Sequence, residues 1–344
     1  MIGAMNSSSP KPFRRLAVIG AGAWGTALAI TAGRSARAGA VSLWAHEPDV
    51  AAAVNARHAN ELFLPRIQIP PHVRATNDLA EAAGGAEALL IAVPAQHVRP
   101  VAAALADHLP AAVPLVICAK GIELETGKMM SEVLGEVCPA ARLAVLSGPT
   151  FAAEVAAGKP TAVTLACADA GLGSALVATI GAPAFRPYLS GDVIGTEIGG
   201  AVKNVLAIAC GIVEGRQLGD NARAALMTRG LREMMRFGAA LGGRPETLMG
   251  LSGLGDLALT CNNAQSRNMS LGIELGRGRT LAEALAGKRA VVEGVASAAA
   301  VLKRARSLKV EMPIVAAVDG ILHHGADISR TIAALLERPF KTEG

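Results

Sequence analysis

Apolar residues along this chain fall into two textures. In the first half they form short continuous runs at Leu16–Ile19, Val41–Trp44, Ala88–Val93, Pro114–Ala119 and Leu143–Leu146, with two further runs at Thr161–Cys167 and Phe185–Leu189. Polar positions do not alternate within these runs. Each therefore predicts a strand buried on both faces, as in a parallel sheet covered by helices. Helix-like stretches separate the runs, which gives the doubly wound α/β pattern. From about Gly195 the strand-like runs stop. Helical periodicity follows at Gly195–Gly215, Asn221–Leu241, Leu281–Ala286, Val295–Ser307 and Pro313–His324. The pattern predicts a sheet domain over residues 14–190 and an all-helical domain over residues 191–340.

The first strand runs directly into Gly20, Gly22 and Gly25, in GxGxxG spacing, and then into an alanine-rich helix. Glycines at these positions permit a tight turn and close approach of backbone to a pyrophosphate, which the N–H groups and dipole of the helix N-terminus then hold. The spacing alone is weak evidence, but here it sits in a strand–turn–helix context at the start of a doubly wound pattern. The sheet domain thus reads as Rossmann-type and dinucleotide-binding. The second strand ends at Trp44 with no carboxylate behind it: Ala45 and His46 follow, then Glu47. A carboxylate there would hold the ribose hydroxyls of NAD and repel the 2′-phosphate of NADP. Its absence admits NADP(H), with His46 placed to face that phosphate, and Glu47 keeps NAD(H) open. The alternative for His46 is a loop histidine with no ligand.

Composition narrows the classes. The length of 344 residues suits two domains. The apolar stretch richest in length, Ile198–Val213, is interrupted by Lys203 and Asn204, so no membrane span is expected. A net charge of +5 fits an anionic small-molecule substrate and equally fits none. With one Tyr, two Trp and six Phe the chain is poor in the stacking surfaces of a nucleic-acid binder. Cys118, Cys138, Cys167, Cys210 and Cys261 form no CxxC or Cys/His pattern, call for no metal, and suit free thiols in a reducing cytoplasm. Residues 1–13 lack the apolar core of a signal peptide and read as a disordered extension.

Four motifs carry candidate chemistry. Lys120 and Gly121 follow a strand in CAKGIE, and ligands of open α/β sheets bind at the carboxyl ends of strands. The alternative is a solvated loop lysine. Gly148, Pro149 and Thr150 make a turn after another strand, with or without chemical meaning. The helix Gly195–Gly215 has one apolar stripe, and its opposite face holds Gly200, Lys203, Asn204, Ala207 and Gly211. Small residues around one amine and one amide suit close approach by a ligand or by another helix. A desolvated lysine there has its pKa lowered toward a useful acid/base range. Finally, Asp256 sits in the glycine-rich GLGDLALT. Ser266, Arg267 and Asn268 combine a hydroxyl, a guanidinium and an amide suited to a phosphate, or else simply cap an exposed helix.

Together the runs GAGAWGTALA, LLIAVPAQHV, CAKGIE, LSGPTFAAEV, IGGAVKNVLAIACGI, GLGDLALTC, SRN and VVEGV, spread from Leu16 to about Leu336, resemble the bacterial NAD(P)-dependent glycerol-3-phosphate dehydrogenase family. The resemblance implies reduction of dihydroxyacetone phosphate to sn-glycerol 3-phosphate, the backbone for phospholipid synthesis. It implies that the glycine loop (Gly20, Gly22, Ala23, Trp24, Gly25), His46, Lys120, Ala152, Arg267, Val291 and Glu293 line the NADP(H) or NAD(H) site. Lys120, Gly148, Thr150, Lys203, Asp256, Ser266, Arg267 and Asn268 would meet the substrate. Lys203 takes the place of the catalytic lysine, with Asp256, Lys120 and Asn204 beside it. A cytoplasmic homodimer is implied as well. The departures are small: Ala23 stands where serine is common, and Val295 where an aromatic is common. A β-hydroxyacid or 6-phosphogluconate type dehydrogenase is the nearest enzymatic rival. A catalytically idle NAD(P) sensor is the rival from another class.

Overall fold

The computed structural model describes residues 11–35, 39–287 and 291–339. Residues 1–10 of the expected extension, and position 340, lie outside these. Among the described residues ten strands form: β1 (Arg15–Ile19), β2 (Ala40–Trp44), β3 (Ala59–Asn60), β4 (Leu64–Gln68), β5 (Val73–Thr76), β6 (Ala88–Ile91), β7 (Pro114–Ile117), β8 (Arg142–Ser147), β9 (Thr161–Cys167) and β10 (Phe185–Ser190). Eight of them make one sheet in the order β10-β9-β8-β7-β6-β1-β2-β5, and β3 and β4 pair separately as a ribbon. The strand order reverses direction between β1 and β6. Such a switch point opens a crevice at the carboxyl edge of the sheet.

The sheet departs from the purely parallel arrangement that its apolar runs predicted. β9 is antiparallel to β8, while β10 is again parallel to β9. The connection from β8 to β9 carries only the five-residue helix Ala152–Ala156. A helix that short rises about 7.5 Å, too little to carry the chain back along a strand of about 20 Å. β9 is nevertheless apolar because both of its faces are covered; the pattern reports burial, not direction. β5 escaped the sequence reading for a related reason. It is the edge strand, with Arg74 exposed, so it lacks a continuous apolar run.

Sheet residues pack into two cores, one on each face. Phe13, at the end of the expected extension, packs on one of them and donates its N–H to Thr179 Oγ1 at 2.9 Å. A third core belongs to the helical half and is built around the helix Val193–Gly215, buried from Gly195 to Val213. Among the described residues this is the one helix long and apolar enough to cross a membrane, but 89% of its apolar window is buried inside the protein. Its hydropathy is that of a core helix. Asp192 caps it, accepting from Gly195 N–H at 2.9 Å, and its other oxygen accepts from Arg244 N–H at 2.8 Å.

The small residues on this helix do two things. At its far end Gly211 and Gly215 meet Gly272 and Gly276 of the helix Arg267–Gly276, backbone to backbone. A Cβ on Gly211 would come within 2.2 Å of Met269 O, and one on Gly272 within 2.1 Å of Ile208 O. This contact fixes the start of the Arg267–Gly276 helix, and with it the Ser266–Asn268 triplet. At the near end Gly199 admits the π-helical turn Leu251–Gly255, since a Cβ there would lie 2.2 Å from Ser252 O. Gly255 N–H reaches back to Gly250 O at 3.0 Å, an i to i−5 bond of the kind that marks functional sites. The turn delivers Asp256 to the flank of the long helix.

Candidate active site

The carboxyl ends of β1, β2, β6, β7 and β8 share one edge, because these strands are mutually parallel. The glycine loop, His46, Ala95, Lys120 and Gly148 therefore face the same side. Lys120 is no solvated loop lysine. Its Nζ lies 2.7 Å from Asp256 Oδ2 and donates to Gly148 O at 3.0 Å. Lys203 Nζ lies 2.5 Å from Asp256 Oδ1 and donates to Thr260 Oγ1 at 3.0 Å. One fully buried carboxylate thus holds two ammonium groups, one from each half of the molecule. The cluster keeps a net positive charge, suited to an anionic substrate and to negative charge developing on an oxygen.

Burial pushes the Lys203 amine down to about 8; the charge of Asp256 opposes this and that of Lys120 adds to it. Thr260, to which no motif assigns a role, stands four residues after Asp256 on one helix; it accepts from Lys203 at 3.0 Å and donates to the Asp256 carbonyl at 2.6 Å. The i, i+4 spacing was its only signal.

Asn204 is buried beside Lys203. It donates to Lys120 O and Gly200 O, both at 3.4 Å, and its Oδ1 accepts from Asn268 Nδ2 at 2.9 Å. Asn268 Oδ1 in turn accepts from Gly294 N–H at 2.9 Å. The hydroxyl of Ser266 caps its helix, accepting from Met269 N–H at 3.3 Å. Within the triplet, then, Ser266 and Asn268 are held by the protein, and Arg267 is exposed at the helix N-terminus. Burial raises the Glu293 carboxyl above its ordinary range, against the opposing charge of Arg267 and a bond from Ala95 N–H. That contact ties the start of the helix Glu293–Ser307 to the loop after β6. Thr150 bonds the same Gly148 carbonyl as Lys120, at 3.2 Å. Val291 is 47% exposed.

The glycine loop fits a dinucleotide. Gly20 has φ +116°, and a Cβ on it would come within 3.0 Å of the backbone of Ala92 in the loop after β6. A Cβ on Gly25 would lie 1.8 Å from Gly20 O, whereas a Cβ on Gly22 would meet nothing within 4 Å. Space is therefore kept open at the N-terminus of the helix Ala23–Arg34, whose first turn has no side-chain cap and no acid. Trp24 Nε1 is buried there without a protein partner, and Ala23, Trp24 and Ala152 pack on one core. Ala45 is fully buried, so the residue that the end of β2 presents is His46, exposed and edge-on to Trp44 at 6.0 Å.

Comparison with known proteins gives a consistent answer. Residues 15–172 match the family model described as the NAD-dependent glycerol-3-phosphate dehydrogenase N-terminus, and residues 192–333 match its C-terminus. The glycerol-3-phosphate dehydrogenase [NAD(P)+] of Rhodospirillum rubrum is 59% identical over 329 residues, which is 96% of this chain and 94% of that protein. The corresponding protein of Parvibaculum lavamentivorans is 56% identical, over 96% of this chain and 98% of its own. The crystal structure of glycerol-3-phosphate dehydrogenase from Coxiella burnetii superposes with a TM-score of 0.91 at 39% identity, covering 94% of this chain and 99% of that one. With both halves matched in order and across nearly the whole length, this chain belongs to the NAD-dependent glycerol-3-phosphate dehydrogenase family.

Proposed function

We propose that this chain reduces dihydroxyacetone phosphate to sn-glycerol 3-phosphate with NAD(P)H, reversibly, and that Lys203 is its acid/base. The observation that carries the reading is the buried Lys203–Asp256–Lys120 cluster at the carboxyl edge of a dinucleotide-binding sheet. Bound NAD(P)H supplies the hydride. The Lys203 ammonium donates a proton to the carbonyl oxygen as that oxygen gathers negative charge. Both Asp256 oxygens are taken by lysines, so its part is to hold the two amines in place and to favour the charged form of Lys203. Lys120 adds positive charge beside the reacting oxygen. Arg267, exposed at a helix N-terminus, binds the substrate phosphate, and Ser266, Asn268 and Asn204 fix the helix that presents it. The intact cluster speaks against an idle NAD(P) sensor. A homodimer in the cytoplasm belongs to the same proposal; five free buried thiols suit that compartment.

Arg267→Lys tests the phosphate assignment. Lysine keeps the charge but lacks the planar fork. Losing one charge-assisted bond raises KM for dihydroxyacetone phosphate and lowers kcat/KM about tenfold or more. Dihydroxyacetone, which has no phosphate, reacts poorly with the parent enzyme and is little affected by the change. An equal loss with both substrates removes Arg267 from phosphate binding.

The direction of the Lys203 shift gives a pH dependence. With the amine at about 8, the ammonium needed for reduction is lost as pH rises through that value, so reduction declines there. Oxidation of glycerol 3-phosphate needs the free amine, so it rises over the same interval. Rate profiles that run parallel in the two directions would remove Lys203 as the titrating group.

For the cofactor, we propose that NADPH is accepted and modestly preferred, because no carboxylate follows Trp44. His46→Asp is expected to shift the kcat/KM ratio toward NADH. An unchanged ratio places the ribose contact elsewhere.

A further inference from the structure

The ribbon β3–β4 lies outside every motif that pointed to function, yet it sends one buried side chain into the glycine loop. Asn60, 1% exposed, donates from Nδ2 to Ala21 O at 2.8 Å and to Thr26 Oγ1 at 2.8 Å. Its own Oδ1 accepts from Phe63 N–H at 3.2 Å, which fixes the orientation of the amide. Thr26 is fully buried and donates to the same Ala21 carbonyl at 3.2 Å. Ribbon residue Leu64 is buried in the sheet core, and Phe63 packs against it, so the donor stands on a fixed support.

We propose that Asn60, acting with Thr26, is a positioning residue for the dinucleotide: it aims the Gly22 N–H at the pyrophosphate. The Ala21 carbonyl and the Gly22 N–H belong to one planar trans peptide, in which they point in opposite directions. Two donors draw the carbonyl into the protein, so the N–H turns outward. There is room beside this residue, since a Cβ at Gly22 would meet nothing within 4 Å. Glycines at 20 and 22 make this peptide easy to rotate, and Ala21 has no polar side chain with which to hold it. The aim of the N–H must come from elsewhere in the chain, and the ribbon supplies it.

The proposal rests on the glycine loop being the NAD(P) site, so the first measurement is NADPH binding to the unaltered full chain. Trp24 and Trp44 are the two tryptophans; Trp24 stands in the first turn after the loop and the Trp44 carbonyl accepts from Gly20 N–H at 3.1 Å, so quenching of intrinsic fluorescence reports binding. Absence of binding there defeats the functional reading, not this one. Asn60→Asp then replaces both donors by a carboxylate facing a carbonyl. Thr26→Val removes the hydroxyl at constant shape, and Thr26→Ser restores it. Asn60→Asp and Thr26→Val are each expected to weaken NADPH binding about tenfold and to raise its KM to match. KM for dihydroxyacetone phosphate and kcat at saturating NADPH stay within about twofold to threefold, on the scale of a purely ground-state contact. Thr26→Ser binds like the parent. A folded Asn60→Asp or Thr26→Val with parental affinity overturns the proposal. So does a loss shared equally with dihydroxyacetone phosphate, and so does failure of both variants to fold, which would make the trio an element of folding alone.

Discussion

Lys203→Ala is expected to lower kcat for dihydroxyacetone phosphate reduction by at least ~10²–10⁴-fold, the range typical of a general acid, with lost charge stabilisation adding to it. NADPH affinity should remain close to the parent value, since the amine bonds Asp256 and Thr260 rather than any part of the glycine loop. The other amine in the cluster does not substitute for it. Lys120 is anchored to Asp256 and to Gly148 O, on a different strand end. Lys203→Arg separates charge from proton transfer: it keeps the cation but surrenders it only far above neutral pH. It should recover part of the charge stabilisation and none of the pH dependence near 8 that the native amine confers. Steady-state rates of the two variants decide the matter. Activity of Lys203→Ala within a few-fold of the parent would remove Lys203 from the mechanism.

Asp256→Asn is expected to damage both stability and turnover. The carboxylate is fully buried and is the partner of two ammonium groups. Breaking a buried pair by removing one partner costs about 3–5 kcal/mol, because the remaining charge stays desolvated. The chemical consequence has a definite sign. Asp256 opposes the burial that lowers the Lys203 amine to about 8, so neutralising it lets that amine fall further. A smaller fraction of Lys203 is then ammonium at neutral pH, and less of it can donate a proton. Reduction should drop by about two orders of magnitude at neutral pH, within the range of a lost general acid. It should recover partly on acidification, with the alkaline decline displaced to lower pH. Thermal unfolding and a pH–rate profile measure the two effects. A variant as stable as the parent, with its decline at the parental pH, would mean that the lysines do not depend on this carboxylate.

Much of this site could be read from the sequence, where chemistry coincided with unusual residue context. Lys203 drew notice because a buried amine sat among glycines and alanines. The structure divides those small residues between packing and function. Gly211 admits a neighbouring helix, and Gly199 admits the turn that brings Asp256. Periodicity could not tell these apart, because a close helix and a ligand both select for small side chains. The direction of β9 was hidden because burial on two faces looks the same in either direction. Edge strand β5 was hidden because half-exposure dilutes its pattern. Asn60 and Thr260 were hidden because each works through partners fixed by tertiary structure: Asn60 lies 39 positions from Ala21, and Thr260 lies 57 from Lys203. The Ser-Arg-Asn triplet was legible as a group but not in its division, with Ser266 and Asn268 bonded within the protein and Arg267 exposed.

Reduction of a phosphorylated ketone is the reaction proposed for the Lys203 cluster. The measurement that bears on it most directly is NADPH oxidation by the purified full-length chain, followed by absorbance, with dihydroxyacetone phosphate, dihydroxyacetone and a 3-oxo acid offered separately. Rapid oxidation is expected with dihydroxyacetone phosphate, one sn-glycerol 3-phosphate forming for each NADPH consumed, and slow turnover of the other two. Preferential turnover of the 3-oxo acid, or NADPH binding without turnover of any of the three, would contradict it.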